Sequence, residues 1–231
     1  MSDIFREVDE DIRRDQLKKL WDRTAPYVIG AAVLIVVATA GYRGWEYWQE
    51  RQSQSSGDRF VAAVQLSDDG RTAESIAALE SLVADGTGGY PILARFRIAT
   101  EKAKAGDIEG AVTEFDTIAA GNAPAEMRAM ARLRAAILLV DTASPAELET
   151  RVGDLAATGT PWRHTAREVL GLAAWRSGDY EGARMHFDSL VADQEAPQDL
   201  RQRVQLMLAL VDARIGEGAA PADASETAPQ N

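Results

Sequence analysis

Two stretches of this chain read as copies of one another: Lys104–Ile118, "KAGDIEGAVTEFDTI", and Arg176–Leu190, "RSGDYEGARMHFDSL". Each carries a Gly-Asp pair, Gly106-Asp107 or Gly178-Asp179. Glycine in such a pair supplies the left-handed turn that ends one helix, and the aspartate caps the next. Five residues after the glycine stands a small residue (Ala111, Ala183), nine after it a phenylalanine (Phe115, Phe187), and twelve after it an aliphatic (Ile118, Leu190). The small residue lets two helices approach, and the phenylalanine fills the space between neighbouring pairs.

The two glycines are 72 residues apart, twice 36, and a step of 36 before Gly106 reaches Gly70, followed at the same offsets by Ser75, Leu79 and Leu82. Near position 142 the pattern returns degenerate and one residue late, as Leu148, Val152 and Leu155. Beyond Gly178, the helical stretch "DLRQRVQLMLALVDARI" (199–215) ends at Gly216. A period near 36 built from paired helices marks a helical solenoid resembling the tetratricopeptide type. Leu170-Gly171 falls where that motif places Leu-Gly, whereas Lys102 and Ala174 occupy its tyrosine positions. No strand-like alternation is present. The expected fold is all-α: an N-terminal transmembrane helix, then about four helix pairs and a closing helix.

The membrane helix is expected from residues 24–42, nineteen consecutive positions without charge between Arg23 and Arg43. At 1.5 Å per residue this run spans roughly 28 Å, close to a hydrocarbon core of about 30 Å. Pro26 suits the first turn of such a helix. Tyr27 sits at one rim, and Tyr42, Trp45, Tyr47 and Trp48 at the other, where amphipathic rings favour the headgroup layer. Arg43 can snorkel outward. Ala38-Thr39-Ala40 matches the pattern that signal peptidase cuts after. However, a leader of 23 residues of mixed charge and an apolar run of this length read as a retained anchor. The leader holds six basic residues (Arg6, Arg13, Arg14, Lys18, Lys19, Arg23), and the 23 residues after Tyr42 hold three. That bias puts the N-terminus in the cytoplasm. Within the leader, Ile4, Phe5, Val8, Ile12, Leu17, Leu20 and Trp21 form a broken apolar stripe.

The expected organisation is a cytoplasmic leader (1–23), an anchor with aromatic exit (24–48), a repeat domain (49–216) and a disordered acidic Ala/Pro tail (217–231). Hydrophobic residues make up 46% and charged residues 26%, which suits a packed core over most of the length. A net charge of −11 argues against nucleic acid as a partner. The absence of cysteine excludes disulfides, thiolate metal sites and a cysteine-linked lipid anchor.

The chain offers little for chemistry. His164 and His186 have no second histidine or carboxylate at metal-binding spacing, and both read as surface residues. No nucleophile elbow or phosphate-cradling loop occurs. Neither catalytic residues nor a cofactor, metal or small-molecule substrate is expected, and the chain does not read as an enzyme. Its charges, however, are sorted. First helices and the closing helix carry the basic residues, among them Arg59, Arg95, Arg97, Lys102, Arg132, Arg163 and Arg203, while second helices carry Glu74, Glu114, Asp116, Asp154, Glu181 and Asp188. In a tetratricopeptide solenoid the first helices line the concave face. That geometry would expose Phe60, Val64, Leu93, Phe96, Lys104, Leu172, Trp175 and Arg176 as a peptide groove, with an apolar floor and basic flanks. Alternatively, the sorted charges pair adjacent helices, and Trp175 packs on the closing helix.

The leader, the single anchor ending in Gly41-x-x-Gly44-Trp45-x-Tyr47-Trp48 and the repeats together resemble the bacterial ancillary SecYEG translocon subunit family. The resemblance covers nearly the whole chain except the tail. It implies a non-enzymatic inner-membrane protein with its C-terminal domain in the periplasm. Its implied partners are the Sec translocon, membrane-anchored periplasmic chaperones and exported clients. Another envelope scaffold, serving cell division or outer-membrane assembly, would share this topology.

Overall fold

The computed structural model describes the backbone of residues 3–219, with side chains for residues 33–216. Among the described residues all regular structure is helical. The helices are α1 (Asp3–Asp68), α2 (Thr72–Asp85), α3 (Tyr90–Lys104), α4 (Ile108–Ala120), α5 (Ala125–Leu139), α6 (Pro145–Val152), α7 (Arg163–Ser177), α8 (Tyr180–Ala192) and α9 (Gln198–Ala219). A 3-10 turn, Gly153–Ala156, follows α6. The end of α1 pairs with α2, then α3 with α4, α5 with α6 and α7 with α8, and α9 closes the array.

Two compact units divide the chain, Met1–Gly57 and Asp58–Asn231. Helix α1 runs without interruption through the first and supplies the first repeat helix of the second. Pro26 therefore lies inside a helix and not in a first turn, which removes one intrahelical hydrogen bond there. Among the described residues no helix is long and apolar enough to cross a membrane. Of the expected span 24–42, side chains are described from Val33 onward. The leader's side chains and that of Tyr27 lie outside the described residues, as do residues 220–231 of the expected tail. Helix α9 runs past Gly216 to Ala219.

Burial in the second unit is segmented. Ala63, Leu79, Leu82, Ala94 and Ile98 join α1, α2 and α3. Ala99, Phe115, Ile118 and Ala131 join α3, α4 and α5. Leu133, Leu148, Val152, Leu155, Ala166 and Leu170 join α5, α6 and α7. Ala174, Ala183, Phe187, Leu190, Leu200 and Val204 join α7, α8 and α9. Each cluster uses three consecutive helices, so the core propagates from neighbour to neighbour as in a solenoid.

One position sets the helix spacing. Ala63, Ala99, Ala135 and Gly171 recur at 36-residue steps on the first helices, and all four are buried. Leu79 and Phe115 share the buried clusters of Ala63 and Ala99, and Phe187 faces Gly171, whereas Ala135 packs with Phe115 in the α3–α4–α5 cluster. The contact is tightest at Gly171, where a β-carbon would stand 2.5 Å from Cε1 of Phe187. Glycine is required there because the ring occupies the place of any side chain. At the Ser75 position the polar substitute for alanine is buried and satisfied, its hydroxyl donating to the carbonyl of Ala63 at 2.7 Å.

Three turns close alike. Gly70, Gly106 and Gly178 have φ of 79°, 86° and 84°. The following N–H reaches back five residues, Arg71 to Leu66, Asp107 to Lys102 and Asp179 to Ala174, at 2.8–3.0 Å. This is the Schellman closure, and the left-handed residue within it favours glycine. Asp107 and Asp179 then each accept a 2.9 Å hydrogen bond from the N–H three residues on, capping α4 and α8. The α5–α6 turn (140–144) differs, having five residues and no glycine. The first-helix ladder keeps its step across it, so the one-residue lateness of Leu148 is confined to this turn and to an α6 of only 8 residues.

Replacing Gly178 by alanine forces a left-handed backbone on a β-carbon and should cost about 1 kcal/mol. Gly171→Val must also displace Phe187, and should cost about 3 kcal/mol. Urea midpoints at unchanged m-value measure both. An unchanged midpoint for Gly171→Val would remove the ladder as the spacing device.

Candidate functional site

The sorted charges find their partners within the fold. Arg59 of α1 meets Asp85 of α2 at 2.7 Å, and Arg95 and Lys102 of α3 meet Glu114 of α4 at 2.8 and 2.9 Å. Arg132 of α5 holds Asp154 through both guanidinium nitrogens, at 3.1 and 2.9 Å. Arg163 of α7 meets Asp193 at 3.1 Å. Successive pairs are linked by Arg151 to Asp116 at 2.6 Å and Arg203 to Glu168 at 2.7 Å. Of the two alternatives the sequence leaves open, the intramolecular one describes these cations. The exposed ones among these pairs stabilise little individually, and together they tie each helix to its neighbours.

Asp193 is the densest of these nodes. Its carboxylate accepts from the N–H of Glu195 at 2.9 Å, and lies 2.9 Å from Nε2 of His164 and 3.1 Å from Nε of Arg163. The Glu195 N–H, then His164 and Arg163, hold its carboxyl well below the usual range, against the opposing effect of burial. His164 is thus a half-buried tie between α7 and the end of α8, not a surface residue. His186 is half-buried too. Burial pushes its imidazole below the usual value, helped by Arg167 and opposed by Glu149 and Asp179. Among the described residues no cluster of three His, Asp or Glu side chains could hold a metal ion.

A concave surface forms on the first helices. One hollow of about 390 Å³ is lined by Phe60 of α1, by Leu93, Phe96, Arg97 and Thr100 of α3, and by Met127, Met130 and Arg134 of α5. A second, of about 440 Å³, is lined by Thr100, Ala103, Lys104, Phe115, Met130, Leu133, Arg134, Ile137, Leu138, Trp162 and Thr165. Thr100, Met130 and Arg134 belong to both, so the hollows adjoin. Two of the lining cations hold the buried Glu101, with Nε of Arg97 at 2.7 Å in an ion pair lacking linear hydrogen-bond geometry, and Nζ of Lys104 at 3.2 Å. Burial opposes ionisation of Glu101, but Ser67, Lys104 and Arg97 outweigh it and keep the carboxyl below its ordinary range.

The sequence-derived groove residues separate into two groups. Phe60, Leu93, Phe96 and Lys104 line the hollows. Val64 is half-buried on α1 and lines neither. Leu172 and Trp175 pack against the α7–α8–α9 cluster, where the Trp175 ring centroid lies 5.1 Å from that of Tyr180 with the planes tilted by 55°. Arg176 points elsewhere, donating to the carbonyls of Asp141 (3.1 Å) and Ala143 in the glycine-free α5–α6 turn. Sequence reasoning missed the α5 contribution. Its signal is the 3-4-3 spacing of Met127, Met130, Arg134 and Ile137, a helical stripe in the most worn repeat. The side chains expected at a membrane exit, Tyr42, Trp45, Tyr47 and Trp48, are all exposed, with Trp45 and Trp48 ring centroids 5.8 Å apart. The guanidinium of Arg51 lies 4.8 Å over the Tyr47 ring, and Arg43 pairs with Glu46 at 3.2 Å.

Arg176→Ala removes a charged donor from two carbonyls and should cost about 1–2 kcal/mol, read from the urea midpoint. The depressed carboxyls of Asp193 and Glu101 contribute stability that is complete above the unfolded carboxylate range, around pH 4, and lost as pH falls through their folded values. Asp193→Asn should therefore lower stability at neutral pH and flatten its decline on acidification. An acid profile parallel to the wild type would contradict this.

The model of the tetratricopeptide repeat-like domain matches residues 18–214. No curated protein and no solved structure matches the chain. With most of its length inside that match, and with the four helix pairs described above, the chain belongs to the tetratricopeptide repeat-like domain family.

Proposed function

We propose that this chain is a non-enzymatic adaptor, held in a bacterial inner membrane by α1 with its repeats in the periplasm. In this reading it associates with the Sec translocon and helps exported proteins meet membrane-anchored periplasmic chaperones. Membership of the family makes protein–protein interaction the general task of the repeats. The membrane assignment is carried by one observation: Val33, Leu34, Ile35, Val36 and Val37 are each 56–69% exposed. Consecutive helical residues step by 100°, so these five face every direction around α1. A helix apolar all round belongs in lipid or inside a protein. Thr39 fits such surroundings, its hydroxyl donating to the carbonyl of Ile35 at 2.7 Å. The family match begins at residue 18 and so includes this run with the repeats. The translocon assignment rests on the resemblance of the leader, the aromatic exit and the repeats taken together.

The absence of cysteine makes the topology directly testable. Single cysteines replacing Glu10 and Asp69 in the full chain are exposed to a membrane-impermeant maleimide on intact spheroplasts. Position 69 should label before lysis and position 10 only after it. Labelling of both only after lysis would place the repeats in the cytoplasm, and a mature chain beginning at Gly41 would remove the anchor. Photo-crosslinking from Tyr42 and Trp45 should capture translocon subunits. Capture of division or outer-membrane assembly proteins in their place would assign the chain to another envelope scaffold.

A further inference from the structure

The lining of the two hollows is unlike the rest of the molecule. The chain carries 36 acidic and 25 basic residues, yet the hollows are lined by Arg97, Lys104 and Arg134 and by no acidic side chain. Glu101, which lines neither hollow, is buried and already engaged by Arg97 and Lys104. Arg134 is different. It is exposed, belongs to both hollows, and makes no ion pair or side-chain hydrogen bond among the described residues. Most other first-helix arginines are tied to a carboxylate of the fold, as Arg59, Arg95, Arg132 and Arg163 are. Around Arg134 the surface is apolar and pliable: Met130 beside it, Phe96 and Leu93 across from it on α3, and Ile137 one turn on, 44% exposed.

We propose that these adjoining hollows are a docking site for an acidic, apolar-rich segment of a partner protein, with Arg134 pairing with a carboxylate at the centre of the site. The inference rests on the adaptor reading of the repeats and is independent of the membrane assignment. Methionine and aromatic side chains accommodate apolar groups of varied shape, which suits a site that takes segments rather than one folded surface. An unpaired guanidinium between two apolar depressions then selects among apolar segments by charge. Nucleic acid is a poor alternative occupant, since the chain is strongly acidic overall.

The test uses the full chain in mild detergent and three synthetic 16-residue peptides sharing one pattern of Leu and Phe. One carries Glu at its polar positions, one Gln and one Lys; binding is followed by fluorescence anisotropy at low and high salt. The Glu peptide should bind tightest, its affinity should fall with added salt, and Arg134→Ala should weaken it about fivefold or more. Arg128→Ala, an exposed arginine of the same helix that lines neither hollow, should leave it within about twofold. Arg134→Glu should invert the preference toward the Lys peptide, with an unchanged helical spectrum showing that the fold persists. Equal binding of all three peptides, or indifference to Arg134→Glu, would overturn the proposal while leaving an adaptor of other specificity. Binding of no peptide, with crosslinks from Met130 reaching no protein, would remove the adaptor reading as well. Self-association abolished by Arg134→Glu would give the hollows to a second copy. Tighter peptide binding after deletion of residues 220–231 would give them to the chain's own acidic tail. Either result would overturn the proposal.

Discussion

The approach of each first helix to its second helix, across a residue too small to hold them apart, is the constraint on which the repeat domain depends. Ala63, Ala99 and Gly171 carry that approach in three of the pairs, each clustered with or facing a large side chain of its second helix, while Ala135 keeps the 36-residue step and packs with Phe115 of the preceding pair. Because interiors are close-packed, a larger residue at one of these sites cannot be absorbed by slack and must move a helix. Phe187, one of two phenylalanine knobs, meets the smallest partner, Gly171, where a β-carbon would stand 2.5 Å from its ring.

From that spacing follow the other layers of the structure. Closely held helices bring a first-helix arginine within reach of an acid belonging to its own pair, so the sorted charges become a ladder of internal ties. The concave side, by contrast, receives the residues left over from packing. Neighbouring first helices meet there through Phe96, Met127 and Met130 with incomplete filling, and hollows result. Arg134 sits among these residues without a tie of its own. The repeat architecture thereby separates the cations that hold the fold together from one that is free to recognise something else.

Much of this was legible in the sequence because the strongest signals were local. Gly-Asp at 106 and 178 demanded a helix end and a cap, and the phenylalanine nine residues later demanded a space to fill. The third pair was harder to read, because its turn has no glycine and α6 is short. Its ladder residue, Ala135, is an alanine in an alanine-rich helix and carries no distinguishing mark. The concave face was read by assuming that every repeat offers equivalent positions to it. Each hollow, however, spans three first helices and takes non-equivalent positions from them. Thus Phe60 and Phe96 line one, whereas Trp175 is drawn into the last cluster by Tyr180 and the closing helix. Arg176 looked like a groove cation, but it was needed by the carbonyls of a turn more than thirty residues earlier, a demand no local pattern records. Pro26 looked like the start of a helix because an anchor was read as a separate element. The backbone instead carries α1 from Asp3 through to Asp68.

Hydrogen exchange on an Ala99→Leu variant tests the ladder most directly. If the small residue sets the spacing of its own pair and the core propagates between neighbours, amide protection should fall most in α3 and α4 and less in α2 and α5. It should be retained in α8 and α9. Uniform loss of protection across all the repeats, or no loss in α3 and α4, would contradict the account.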